Sequence, residues 1–235
     1  MIKDRKVALV FRAASLLFAV AGFLVMLGIF SGGPWSGILA YYTMQSNILV
    51  IILFAMLTVR TTMGLREGRY GSAGYFARFE MICTIDILLT FVVYWVMLAP
   101  TLFTMGEDYP IWSFDNLAVH GVTPLLCLLD YILFTQPRHL KYKDLYLVSV
   151  FPLAYVAVTS IAGLLGYVYY VSQVDGLPVR FPYFFYDFDR IGAVSFIFIG
   201  ALLVFFMIVA HVFYLFDRKI RKPGEPGEKE KSWKN

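Results

Sequence analysis

Along the chain, long apolar runs alternate with short polar breaks. Six runs stand out, at Val7–Phe30, Gly37–Val59, Met81–Thr104, Leu117–Thr135, Leu145–Val171 and Ile191–Phe216. At a rise of about 1.5 Å per residue, each is long enough to cross about 30 Å of hydrocarbon as a helix. The pattern predicts an all-α membrane protein, a bundle of six transmembrane helices filling residues 1–216 as one domain. The remainder, 217–235, carries Lys222-Pro223-Gly224-Glu225-Pro226-Gly227 and alternating charges, and is expected to be a solvated, disordered tail. The second run is the least apolar, since Thr43, Gln45, Ser46 and Asn47 interrupt it near its start. The first run has a basic start and an Ala19-Val20-Ala21 triplet that resembles a cleavage site. It continues to Phe30, past the 7–15 residues of a signal-peptide core, and is read as a retained helix.

Composition agrees with a lipid solvent. Of 235 residues, 60% are hydrophobic and 15% charged, whereas soluble domains run at about 45–50% and about 25%. Such a chain argues against a nucleic-acid binder, a disulfide-stapled secreted domain, a coiled coil or a disordered protein. The net charge of +4 is informative through its placement. With a cytoplasmic N-terminus, 17 of the 20 Lys and Arg residues fall on inner segments, Arg138 and the seven from Arg218 to Lys234 among them. Arg180 and Arg190 fall outside and Arg12 lies within the first run. The positive-inside rule therefore puts both termini in the cytoplasm, and the expected location is a bacterial-type inner (plasma) membrane.

Conventional motifs are absent. There is no CxxC, P-loop, HExxH or GxSxG, and Cys83 and Cys127 both fall inside runs. His120, His139 and His211 are dispersed, so neither a metal site nor a cofactor is expected. What remains is the set of polar residues inside the membrane, each a functional hypothesis because each costs free energy there. Arg12, Asp86, Asp130 and His211 share one level in the cytoplasmic half. They read either as an ion-paired network, Arg12 with Asp86 or Asp130, or as a relay in a lipid or small-molecule binder or transporter.

A second level lies near the outer face. Counted from the boundaries above, Thr43 is six residues into the second run and His120 three to four into the fourth, so the two can meet. Helical spacing groups Thr43 with Ser46 and Asn47, and His120 with Asn116 and Thr123. Pro124 lacks an N–H, so the carbonyl of His120 loses its helical partner and the helix should loosen there. A hydroxyl and an imidazole together permit nucleophilic catalysis on an ester. Asp115, Asp187 or Asp189 could orient the histidine, while Asp130, ten residues along the helix, is about 15 Å away. The purely structural alternative has Thr43 bonding back to the Leu39 carbonyl and His120 pairing with a neighbouring helix.

These stretches also carry a family resemblance. Tyr42-Thr43-Met44-Gln45-Ser46-Asn47-Ile48-Leu49-Val50 resembles a stretch of the bacterial Pr6Pr membrane proteins, which are similar to the androgen-induced and androgen-dependent six-helix proteins of animals. The likeness continues through Asn116-Leu117, His120, Pro124 and Leu128-Leu129-Asp130-Tyr131. It resumes at Phe151-Pro152-Leu153-Ala154-Tyr155 and Phe181-Pro182-Tyr183-Phe184-Phe185-Tyr186-Asp187. It implies a membrane-embedded threonine hydrolase of fatty acid esters of hydroxy fatty acids, with Thr43 and His120 as the catalytic pair. Around the threonine, Gln45-Ser46-Asn47 follows the bacterial form rather than the animal one, which leaves the substrate open.

A lipid ester suits the setting, because it can enter sideways from the bilayer. Gln45, Asn47, Asn116, Tyr183 and Asp187, with Tyr186, are candidates for binding substrate or stabilising an oxyanion, with no ranking among them. The segment Arg180–Asp189, aromatic and acidic, reads either as a cap over the site or as an interfacial anchor.

Overall fold

The computed structural model describes residues 1–33, 35–104, 110–136, 141–172 and 175–220. Six helices in it are long and apolar enough to cross a membrane: α1 (Arg5–Met26), α2 (Tyr42–Arg66), α3 (Ala77–Leu102), α4 (Phe114–Phe134), α5 (Tyr142–Leu164) and α6 (Val194–Lys219). Six crossings return the chain to the side on which it began. The end of the bundle holding Arg5 and Lys219 is called the terminal end below, and the opposite one the far end.

Local chemistry sets the boundaries. The Asp4 carboxylate caps α1 by accepting from the backbone N–H of Lys6 at 2.7 Å and of Val7 at 3.3 Å. The second helix begins five residues later than the apolar pattern suggests, because Trp35–Ile38 forms a separate short turn and Tyr41 is the extended cap residue. It then runs on to Arg66, seven residues past the predicted end. The fifth stops at Leu164 rather than Val171, since Gly166 adopts φ +91° and turns the chain. Beyond it, Tyr170–Val171 (β1) pairs antiparallel with Pro178–Val179 (β2). The sixth starts at Val194, just after Gly192 at φ +56°. It continues to Lys219, into the stretch expected to be tail; residues 221–235, like Arg138 and His139, lie outside the described residues.

Helices α1 to α4 form the packed half of the bundle, with α1 against α2 and α4, and α3 between α2 and α4. Gly22 of α1 lets that helix lie directly on Ala118 of α4: a Cβ on Gly22 would stand 2.4 Å from the alanine Cβ. Mid-bundle packing comes from Leu53, Phe54, Leu57, Cys83, Ile87 and Cys127. At the far end an aromatic cluster of Tyr42, Tyr155, Phe181, Phe185 and Tyr186 takes over. In α5 the first part, Tyr142–Ser149, packs against α3 and α6, whereas Val150–Leu164 makes few close backbone approaches to either.

Candidate functional site

Two helix starts meet at the far end. Thr43 is the second residue of α2, and His120 is the seventh of α4. This reverses the depths read from the apolar runs, because α2 starts later and α4 earlier than predicted. The two side chains meet as expected. Thr43 Oγ1 lies 3.2 Å from His120 Nε2, and both residues are buried.

The other ring nitrogen decides the tautomer. His120 Nδ1 lies 3.2 Å from the Asn116 carbonyl, which can only accept. Nδ1 therefore carries the proton, and Nε2 presents its lone pair to the threonine hydroxyl. A backbone carbonyl takes the place expected of a carboxylate. Asp187 instead caps a short helix by accepting from the N–H groups of Asp189 and Arg190, and Asp189 pairs with Arg180.

Helix α4 is reshaped around the histidine. Ala118–Val122 forms a π-helical turn in which Thr123 N–H donates to the Ala118 carbonyl. This is the loosening that Pro124 predicts, and such turns favour functional sites. The freed His120 carbonyl is not left bare, because the Trp95 indole N–H donates to it at 3.0 Å. Tyr94 stacks on the imidazole, with centroids 3.7 Å apart and planes 12° from parallel. Both aromatics belong to a second π turn, Tyr94–Leu98, in α3.

The polar residues following Thr43 hold its backbone. The Asn47 amide donates to the carbonyls of Thr43 at 2.8 Å and Val119 at 3.2 Å, tying α2 to α4 beside the pair. Ser46 donates to the Thr43 carbonyl and bonds Thr90 of α3 at 2.9 Å. Gln45 turns away to the Leu39 carbonyl, the acceptor that the structural alternative had assigned to Thr43. Asn116 offers its carbonyl to His120, while its side-chain amide donates to Pro110 and Ser113.

Tyr183 belongs to the site more closely than any other loop residue. Its hydroxyl accepts from the Tyr42 N–H at 3.1 Å and interacts with both the N–H and the side chain of Thr43. It therefore sits on the first turn of α2 and satisfies N–H groups that have no partner within the helix. Burial pushes the Tyr183 phenol up to about 12, against the pull of those donors. Behind it, Tyr155 donates to the Ala40 carbonyl at 3.0 Å and Tyr186 bonds Thr159 at 3.0 Å.

A cavity opens beside the pair, with Thr43 in its wall. Tyrosines 42, 155, 183 and 186 line it near Thr43, and aliphatic and aromatic side chains of α3, α5 and α6 form the rest.

The level predicted near the terminal end separates into three unconnected sites. Arg12 grips Asp130 with two bonds, Nε to Oδ1 at 2.8 Å and Nη2 to Oδ2 at 2.9 Å. Its Nη1 donates to Thr61 Oγ1 and to the Ala73 carbonyl. Asp86 has no part in that pair: Tyr42 donates to it from 3.3 Å. His211 faces Tyr142, whose hydroxyl lies 2.9 Å from Nε2. Of the two pairings open to Arg12, the structure has Asp130 and not Asp86, while Asp86 and His211 each make a local contact with a tyrosine.

The sequence reading missed Glu80, which is fully buried beside Asp130 and accepts from Thr135 Oγ1 at 2.5 Å. It was placed just outside a span, and only the start of α3 at Ala77 brings it in. Trp95 and Tyr94 carried no signal, being aromatics in an apolar run. Among the described residues no group of three or more His, Cys, Asp or Glu side chains could hold a metal ion. Comparison with protein-family models, with curated proteins and with solved structures finds no match to this chain.

Proposed function

We propose that the protein is an intramembrane hydrolase of lipid esters, with Thr43 as nucleophile and His120 as general base. One observation carries the reading. Thr43 Oγ1 lies on His120 Nε2 while Nδ1 is occupied by a carbonyl, so the imidazole is held in the tautomer that can take the hydroxyl proton. The resemblance to the Pr6Pr membrane proteins implies the same pair.

The chemistry balances on these two residues. Thr43 Oγ1 gives its proton to Nε2 and bonds to the ester carbonyl carbon. The imidazolium then protonates the leaving alkoxide as the ester C–O bond breaks, and an acyl-threonine and a free alcohol result. Water next gives a proton to Nε2, its oxygen attacks the acyl carbon, and Thr43 leaves and recovers the proton as the fatty acid departs. The negative oxygen formed in each step needs donors. The Tyr183 hydroxyl, itself held by the Tyr42 N–H, is the group best suited, and the positive end of the helix dipole adds to it. Tyr183 is protonated over the whole physiological range, as a donor must be.

With both termini cytoplasmic, as the basic residues indicate, the pair faces the outer leaflet of a bacterial-type inner membrane. A fatty acid ester of a hydroxy fatty acid, or a similar lipid ester, would present its carbonyl at that depth.

The test is purified protein treated with a fluorophosphonate probe, followed by mapping of the modified residue and by ester turnover. An adduct on Thr43, with turnover lost in both Thr43→Ala and His120→Ala, supports the reading. Wild-type turnover in both variants ends it. A transport signal lost in Asp86→Asn and Asp130→Asn but kept in Thr43→Ala would favour a transporter instead.

A further inference from the structure

The cavity beside Thr43 has a direction. Thr43, Tyr155 and Tyr183 line it toward the far end, and at the other end its lining stops at Leu89, Leu203 and Phe206, of which Leu89 and Phe206 pack into the cluster of Met81, Ile85 and Tyr131. The lining positions run from Leu98 to Leu89 on α3 and from Ile199 to Phe206 on α6. Those stretches are about 13 Å and about 10 Å along the helix axes, so the space extends down the bundle from the nucleophile.

It also has a side. Leu153 lines the cavity and is nevertheless 45% exposed on the surface of the bundle. The Val150–Leu164 part of α5, to which Leu153 belongs, makes few close backbone approaches to α3 or α6, so the cavity faces the lipid side of the bundle there. An apolar space that runs along the helices from Thr43 and is bordered by the exposed Leu153 suits a hydrocarbon chain with an ester at its end.

We propose that this cavity holds the acyl chain of the substrate, entering past Leu153, with the carbonyl carbon at Thr43 Oγ1 and the chain end against Leu203 and Phe206. The proposal rests on the hydrolase reading above. The acyl group is the part that stays bound to Thr43 between the two chemical steps, whereas the alcohol must leave, so an apolar cavity walled by the nucleophile retains the acyl half. The residues at its Leu203 and Phe206 end then act as a ruler: they set how long an acyl group fits while leaving the alcohol unmeasured.

Two ester series test this on the full-length protein in detergent or nanodiscs. One varies the acyl group from butyrate through octanoate and laurate to palmitate on a fixed alcohol, and the other varies the alcohol on a fixed acyl group. The expected result is a kcat/KM profile that depends on acyl length and is nearly flat in alcohol length. Leu203→Trp should move the optimum to shorter acyl groups, penalising palmitate over octanoate by about tenfold or more. Leu89→Trp fills the same end from another helix and should shift the profile likewise, which guards against misfolding of either variant. Labelling of Thr43 by alkyl fluorophosphonates of matching lengths should follow the same order. Dependence on alcohol length, or a profile unmoved in both folded variants, overturns the acyl assignment and leaves the hydrolase reading standing. Absence of both ester turnover and a label on Thr43 overturns both readings.

Discussion

The Trp95 indole donates to the carbonyl of His120 at 3.0 Å, and that carbonyl is the one Pro124 deprives of its helical N–H. A defect in α4 is thus repaired from α3, and the repair lies next to the nitrogen that faces Thr43. The proline loosens the turn, the π geometry re-aims the side chain, and the indole satisfies the backbone group that results.

Trp95→Phe should therefore destabilise the protein by about 1–3 kcal/mol, the cost of a buried carbonyl left without a donor. Turnover should fall as well, because the π turn around His120 loses its brace. The deciding measurement is a double-mutant cycle by thermal melting. Pro124→Ala restores an N–H in the same helix, so it should cost less in the Trp95→Phe background than alone, with a coupling of about 0.5–3 kcal/mol. Purely additive effects would show that the two residues are independent.

The buried charges near the terminal end make a second case. Arg12 offers one positive charge, and Asp130 holds it with both oxygens. Glu80 is a further carboxyl at the same place, which accepts from Thr135 and hydrogen-bonds Asp130. Asp130→Asn strands a buried guanidinium and should cost about 3–5 kcal/mol. Glu80→Gln keeps an acceptor for Thr135, removes the surplus acid and should change stability by less than about 1 kcal/mol. Chemical unfolding in mixed micelles would compare them, and equal losses would refute this division of roles.

Tyr183 gives a pH dependence with a definite sign. Its phenol is pushed up to about 12 by burial, above an ordinary tyrosine value of about 10. The folded protein then keeps a proton that the unfolded chain releases, so this contribution is complete below about pH 10 and is lost as pH rises towards 12. Melting temperatures recorded across pH 8 to about 12 should fall more steeply for wild type than for Tyr183→Phe, which lacks the group. Parallel curves would mean that the phenol does not titrate with unfolding.

Much of this was legible in the sequence. The six helices follow from hydrophobic run length alone, because a bilayer imposes one solution on twenty apolar residues. The meeting of Thr43 and His120 follows from depth, which survives an error of several residues at helix ends. Boundaries were missed where the cause lies in the backbone: Gly166 ends α5 early, and Tyr41 delays α2 past an apolar stretch. Partners were missed where two helices must be docked before a contact exists. Nothing in the local pattern says that Trp95 will find the His120 carbonyl, that Tyr94 will stack on the ring, or that a carbonyl will orient the histidine in place of a carboxylate. Depth also grouped Asp86 with Arg12, but depth is one coordinate, and the side chains face different neighbours around the bundle.

One contact links packing directly to the site. Gly22 lies against Ala118, which begins the π turn carrying His120, and a methyl group on Gly22 would meet the alanine methyl at 2.4 Å. That separation is far inside van der Waals contact, so Gly22→Ala must push α1 away from α4 or distort the turn, at a cost of about 1–3 kcal/mol. If the turn yields, the distance between His120 and Thr43 changes and turnover falls with stability. The reciprocal change tests the mechanism: Ala118→Gly removes the obstructing methyl, so the double variant Gly22→Ala/Ala118→Gly should recover most of both losses. Measured together, melting temperature and ester turnover separate the cases. Recovery of both assigns the damage to this contact, whereas a double variant worse than either single one would show that Ala118 is needed for the turn itself.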